Sequence, residues 1–147
     1  MVMEDYVSFE TAKLLKEKGF DGPCFRYAES KEIYESGNWT VANVTGGCVG
    51  VPTLQMAVKW VQEAHNIIII PNYEYECDST PWCYKIFKLK ENGKPEKVAV
   101  KGVSYDKDNN PTEHIVGYRD YERSYKDYST KEEAIEEGIK YCLENLI

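Results

Sequence analysis

Residues 53–65 carry the clearest helical pattern in the chain, and they run straight into four isoleucines. At 100° per residue, Leu54, Ala57, Val58, Trp60, Val61, Ala64 and His65 share one arc, with Gln55, Lys59, Gln62 and Glu63 opposite. Thr53 suits the N-cap and Asn66 the left-handed stop. Ile67, Ile68, Ile69 and Ile70 follow with no loop between. Strand side chains alternate, so four β-branched residues in a row cannot all face one layer. The run predicts a central strand covered on both faces, or one whose second face is hidden in a homodimer through residues 67–70. Pro71 and Asn72 are expected to end it.

Two more helices are punctuated as clearly. Over residues 8–18, Ser8 is placed to cap, Val7 and Ala12 sit at staple positions, and Gly19 can take the positive φ of a C-terminal stop. Over residues 129–147, Ser129 with Glu132 or Thr130 with Glu133 forms a capping box. Ala134, Ile135, Gly138, Ile139, Cys142, Leu143 and Leu146 share one face there. A glycine in a helix costs about 1 kcal/mol relative to alanine, so Gly138 in that apolar arc predicts close approach to a sheet.

The rest is β-rich. Residues 24–28 and 39–44 read as strands, separated by a polar irregular stretch with a turn signal at Gly37-Asn38. Residues 73–77, 82–90, 97–105 and 113–118 read as a further four. Asn92-Gly93 is a hairpin signal that predicts pairing of 82–90 with 97–105. A second turn falls at Asp108, Asn109, Asn110 and Pro111. The expected fold is a single α+β domain over residues 1–147, an antiparallel meander packed by three helices in the order α-β-β-α-β-β-β-β-α. A chain of 147 residues buries about 68–70% of its unfolded surface, enough for a core without metal or disulfide staples.

Composition narrows the function classes. The net charge of −7 argues against nucleic-acid binding, which needs cations to displace phosphate counterions. Five widely spaced cysteines, Cys24, Cys48, Cys77, Cys83 and Cys142, read as reduced thiols. No apolar run approaches the roughly 20 residues of a membrane span, and residues 1–9 do not resemble a signal peptide. A cytoplasmic protein with no membrane partner is the expectation.

The groups that can carry chemistry are few. Gly46, Gly47, Cys48 and Gly50 precede a helix start, where backbone N–H groups can hold an anion. Their spacing fits neither phosphate-loop nor dinucleotide fingerprints. Cys48 could be a nucleophile near that helix end, but nothing local ties it to His65 or His114. His65 lies on an apolar face and reads as packed. Cys77 and Cys83 stand too far apart for a zinc ribbon, so no metal site is assigned and no cofactor is expected. Glu74 and Glu76 alternate along a strand and read as a polar face. Cys24 and Cys142 read as core.

The segment 118–128 is the most unusual. Tyr118, Tyr121, Tyr125 and Tyr128 recur at helical spacing among balanced charges that include Arg123. As a helix it would present a tyrosine stripe, and tyrosine and arginine are enriched at binding hot spots. The alternative is a seam packed on the edge of the core.

Three blocks carry a family likeness. They are Tyr6-Val7-Ser8-Phe9-Glu10-Thr11-Ala12 through Gly19-Phe20, Pro52-Thr53-Leu54 through Asn66-Ile67, and Tyr128-Ser129-Thr130-Lys131-Glu132-Glu133-Ala134 to Ile147. In these the chain resembles small uncharacterised proteins encoded by phages, prophages and mobile elements of gut bacteria. The resemblance implies a bacterial setting and no reaction. The leading expectation is a non-catalytic accessory protein that binds a host or phage protein through residues 118–128. The rivals are a small-molecule or anion binder, or thiol enzyme, at residues 46–52, and a homo-oligomer built on the isoleucine strand.

Overall fold

A computed structural model describes residues 5–29, 32–40, 48–75, 79–124 and 126–147 of the chain. The elements run α1 (Phe9–Glu17), β1 (Cys24–Glu29), β2 (Glu32–Thr40), β3 (Val49–Val51), α2 (Leu54–His65), β4 (Ile67–Tyr73), β5 (Trp82–Lys88), β6 (Val98–Tyr105), β7 (Pro111–Arg119), β8 (Glu122–Arg123) and α3 (Lys131–Asn145). The fold is α+β, with three helices and antiparallel strand pairing throughout the described residues.

The three helices form where their caps dictate. Ser8 Oγ accepts from Thr11 N, Thr53 Oγ1 from Met56 N and Thr130 Oγ1 from Glu133 N. After α1, Gly19 takes φ +92°, and its N–H and that of Phe20 donate to the carbonyls of Lys16 and Leu15. That is the double closure by which a helix satisfies its last carbonyls. Asn66 sits at φ 56°, ψ 39°, turning α2 directly into β4.

The strands fall into three sheets, ordered β2-β1-β3, β4-β5-β8 and β6-β7. This corrects several expectations. β4 is an edge strand, not a central one, and it continues through Pro71 to Tyr73. An edge position is where a proline can be tolerated, because no neighbour on one side needs its missing N–H. The isoleucine run still splits by face: Ile67 and Ile69 are buried, while Ile70 is 44% exposed. β2 starts at Glu32, and the predicted turn at Gly37 is a bulge within it, where the register with β1 shifts between Cys24 and Arg26. The end of the expected 39–44 strand lies outside the described residues.

The Asn92-Gly93 turn forms, with Gly93 at φ +80°, but only one bridge, Leu89 to Pro95, follows it. β5 pairs instead with β4 and β8. The long hairpin is β6–β7, closed at the second predicted turn. There Asp106 Oδ1 accepts from the N–H groups of Asp108 and Asn110, and those bonds hold its carboxyl below the usual carboxylate range.

One core joins the helices to the first two sheets, from Leu15, Ala28 and Val51 through Val61 and Ile69 to Ile139 and Leu143. Burial pushes the Cys24 thiol up to about 11 and the Cys142 thiol up to about 12, as for small core side chains. A Cβ on Gly138 would stand 2.9 Å from Ile69 Cγ2 and 3.2 Å from the Tyr84 ring. The predicted close approach of α3 to a sheet is therefore present, and the sheet is β4–β5. Gly138→Ala should lower the unfolding free energy by about 1–2 kcal/mol, because overpacking outweighs the gain in helix propensity. Urea denaturation tests this; equal or greater stability would mean that α3 can lift off the sheet without cost.

Candidate functional site

The described residues of segment 118–128 do not form a helix. Tyr118 lies next to the end of β7, residues 120–121 turn, and residues 122–124 and 126–128 run along β5 with a bulge between their pairings. Ser124 N donates to Tyr84 O, and Trp82 and Tyr128 exchange both backbone hydrogen bonds. Ser124 Oγ closes the bulge, accepting from Tyr84 N and donating to Lys126 O. Helical spacing of tyrosines was an ambiguous signal, because a strand, a turn and a bulge reproduce the same intervals.

The stripe is therefore dispersed. Tyr118 is exposed on the β6–β7 ribbon. Tyr121 packs on Phe87, with Lys85 and Arg119 over its ring. Tyr128 packs on Tyr84. Phe87 and Tyr84 are three apart in β5 and so face opposite ways, which puts Tyr121 and Tyr128 on opposite faces of the sheet. Tyr125 lies outside the described residues.

Arg123 is committed to structure. Its Nη2 lies 2.7 Å from Glu74 Oε2 and 2.9 Å from Asp127 Oδ1, and its Nη1 donates to Ser124 O. The Arg123 hydrogen bond holds the Glu74 carboxyl below its usual range. Glu74, Cys83 and Asp127 offer three donor atoms within 4.8 Å of one another. The guanidinium already bridges the two carboxylates, and burial raises the pKa of the Cys83 thiol. A cation would have to displace both an arginine and a proton there, so the geometry is that of an ion-pair clasp. Cys77 and Glu76 lie outside the described residues.

The region 46–52 is not an open anion loop where it is described; Gly46 and Gly47 lie outside the described residues. Gly50 is buried in β3, paired with Tyr27 of β1. The start of α2 is filled by the preceding chain: Leu54 N donates to Asp5 O, and Val7 N donates to Pro52 O. An anion would find these N–H groups occupied. The Cys48 thiol lies 3.5 Å from the Glu29 carboxylate. His65 packs edge-on against Trp60, while His114 is exposed on β7.

The structure brings forward a different region. A cleft of about 730 Å³ separates the β6–β7 ribbon from β5, β8 and α3, lined by Tyr84, Tyr128 and Tyr141 on one side and by Ala99, Lys101 and Glu113 of the ribbon on the other. Beyond it the ribbon projects. The register Ala99–Tyr118, Lys101–Ile115, Val103–Glu113 and Tyr105–Pro111 sets these residues on one face. On that face Val103 is 55%, Tyr105 65%, Ile115 54% and Tyr118 65% exposed. Only Tyr118 belongs to the sequence-predicted site. The other three were legible as alternating strand residues, but nothing local marks their face as uncovered.

Arg123→Met should cost about 1 kcal/mol at neutral pH, the scale of a half-exposed ion pair. Glu74 is depressed in the folded state, so its contribution is full above its ordinary value of 4.5 and is lost as pH falls through the folded value. The gap between wild type and variant should therefore close on acidification in thermal melts; a gap independent of pH would show that the clasp acts through packing alone. No helix among the described residues is long and apolar enough to cross a membrane. Comparison with protein-family models, curated proteins and solved structures finds no match to this chain.

Proposed function

We propose that the chain is a non-catalytic protein-binding module, an accessory protein of a phage or mobile element acting in the bacterial cytoplasm, and that its binding surface is the β6–β7 ribbon. The observation that carries this is the row of four large apolar side chains, Val103, Tyr105, Ile115 and Tyr118, each more than half exposed on one face. Isolated surface apolars are ordinary, but a contiguous patch on one face is the usual mark of an interaction site. Two tyrosines in it add the residue type most often found at binding hot spots.

The rest of the molecule supports the same reading. Several reactive groups among the described residues are engaged in structure: Arg123 on Glu74 and Asp127, Cys48 on Glu29, and His65 against Trp60. A small-molecule reading would attach to the cleft beneath the ribbon rather than to residues 46–52, and its tyrosines are what favours it.

A benzophenone amino acid at Tyr118 tests the proposal by photo-cross-linking in cells, with the same group at exposed Lys59 as control. The expected outcome is a polypeptide adduct from the Tyr118 site that is absent at Lys59. Ile115→Ser should then weaken it by about 2 kcal/mol, roughly thirtyfold in affinity. Equal labelling from both sites, or indifference to Ile115→Ser, would sink the ribbon as a binding surface.

A further inference from the structure

Resting on the ribbon as a protein-binding surface, we infer that its occupant is a second copy of this chain, with two ribbons stacked apolar face to apolar face about a two-fold axis. Three observations converge on that partner.

The first is charge. The face that carries Val103, Tyr105, Ile115 and Tyr118 also carries Lys101 and Glu113, whose charged ends lie 3.9 Å apart. It is thus electrically neutral on a chain of net charge −7. A two-fold interface places one patch against itself, so the patch must be its own complement. A face of one sign would repel its copy. One cation and one anion let each lysine meet the partner's glutamate while the remaining charge stays outside, screened beyond about 8 Å at physiological salt.

The second is stability. Among the described residues the ribbon pairs with no other strand, and a two-stranded hairpin alone in water is at best marginally stable. Its apolar face needs cover whenever the chain is folded, not only when a rarer partner arrives. The one partner present wherever this chain is made, at the same concentration, is the chain itself.

The third is size. Four side chains exposed by half or more present on the order of 400 Å² of apolar surface, as expected from two tyrosines and two aliphatic residues. Of the flanking residues on this face, Ala99, Lys101 and Glu113 also line the cleft, so the open patch is about half of the roughly 800 Å² per partner of a standard interface, the scale of a weak dimer. The same arithmetic disfavours a seam at β4, where Ile67 and Ile69 are already buried and two large apolar side chains, Ile70 and Tyr73, are strongly exposed against four on the ribbon face.

Sedimentation velocity of the full chain at micromolar concentration tests the inference, with four proteins: wild type, Ile115→Lys, Lys101→Glu, and the double variant Lys101→Glu/Glu113→Lys. The wild type should sediment as a dimer and Ile115→Lys as a monomer. Lys101→Glu, which sets four carboxylates around the axis, should raise the dimer dissociation constant about tenfold or more. The double variant should restore it, which guards against a variant that merely fails to fold. Protection of residues 98–119 from hydrogen exchange should rise with wild-type concentration. A wild-type monomer throughout the range overturns the inference, as does a dimer indifferent to Ile115→Lys. In either case a Tyr118 cross-link to a different protein would leave the binding-module reading standing.

Discussion

Gly138 of α3 lies flat on the β4–β5 sheet, with no room for a methyl group between it and Ile69 or Tyr84. Most of the packing depends on that approach. It lets Ile139, Cys142 and Leu143 sink to full burial. It also sets the height of Glu136 on α3, whose Oε1 accepts from Ser8 N at 2.9 Å and from Thr11 Oγ1 at 2.6 Å. That carboxylate completes the N-terminal capping of α1 from a distant part of the chain, where a negative charge also suits the helix dipole. The stretch just before α1 then closes the start of α2 through Asp5 and Val7. One missing side chain thus positions α3 against the sheet, α1 against α3, and α2 beneath the N-terminal segment.

Features set by short-range rules were readable from the residues alone. The three caps, the left-handed stops at Gly19 and Asn66, the sheet-facing role of Gly138 and the tight turns at Gly93 and Asn109 each depend on a few neighbouring residues, and each is present. Strand pairing was less legible, because it is a choice among partners of similar local merit. The Asn92-Gly93 turn is real, yet Pro95 follows it at once, and a proline cannot donate to a ladder. The chain crosses away, and β5 takes the short strand β8 on one side and β4 on the other. Glu74, Arg123 and Asp127 show the limit most plainly, since 49 residues separate the first two and nothing local predicts their meeting.

The candidate surface was half visible for the same reason. Tyr118 drew attention as a member of a periodic row, but the row is split across the ribbon and the two faces of a sheet. What defines the surface is that, among the described residues, no layer covers Val103, Tyr105, Ile115 and Tyr118. Lack of cover is a property of the whole fold, so no window of sequence can report it.

A sequence that specifies a structure well satisfies its rules at every level, from turn chemistry through patterning to burial. The caps, turns and core of the body do so. The ribbon satisfies the first two and fails the third: Asp106 builds its turn, apolar residues alternate along its strands, and the apolar face meets solvent. A local design that is complete except for its covering layer differs from a poorly specified loop, which would lack the turn and the register as well. The cover is therefore expected from outside the chain. The neutral pair Lys101–Glu113 at the centre of that face is what makes a second ribbon an acceptable cover, where a patch bearing the protein's average charge would exclude one.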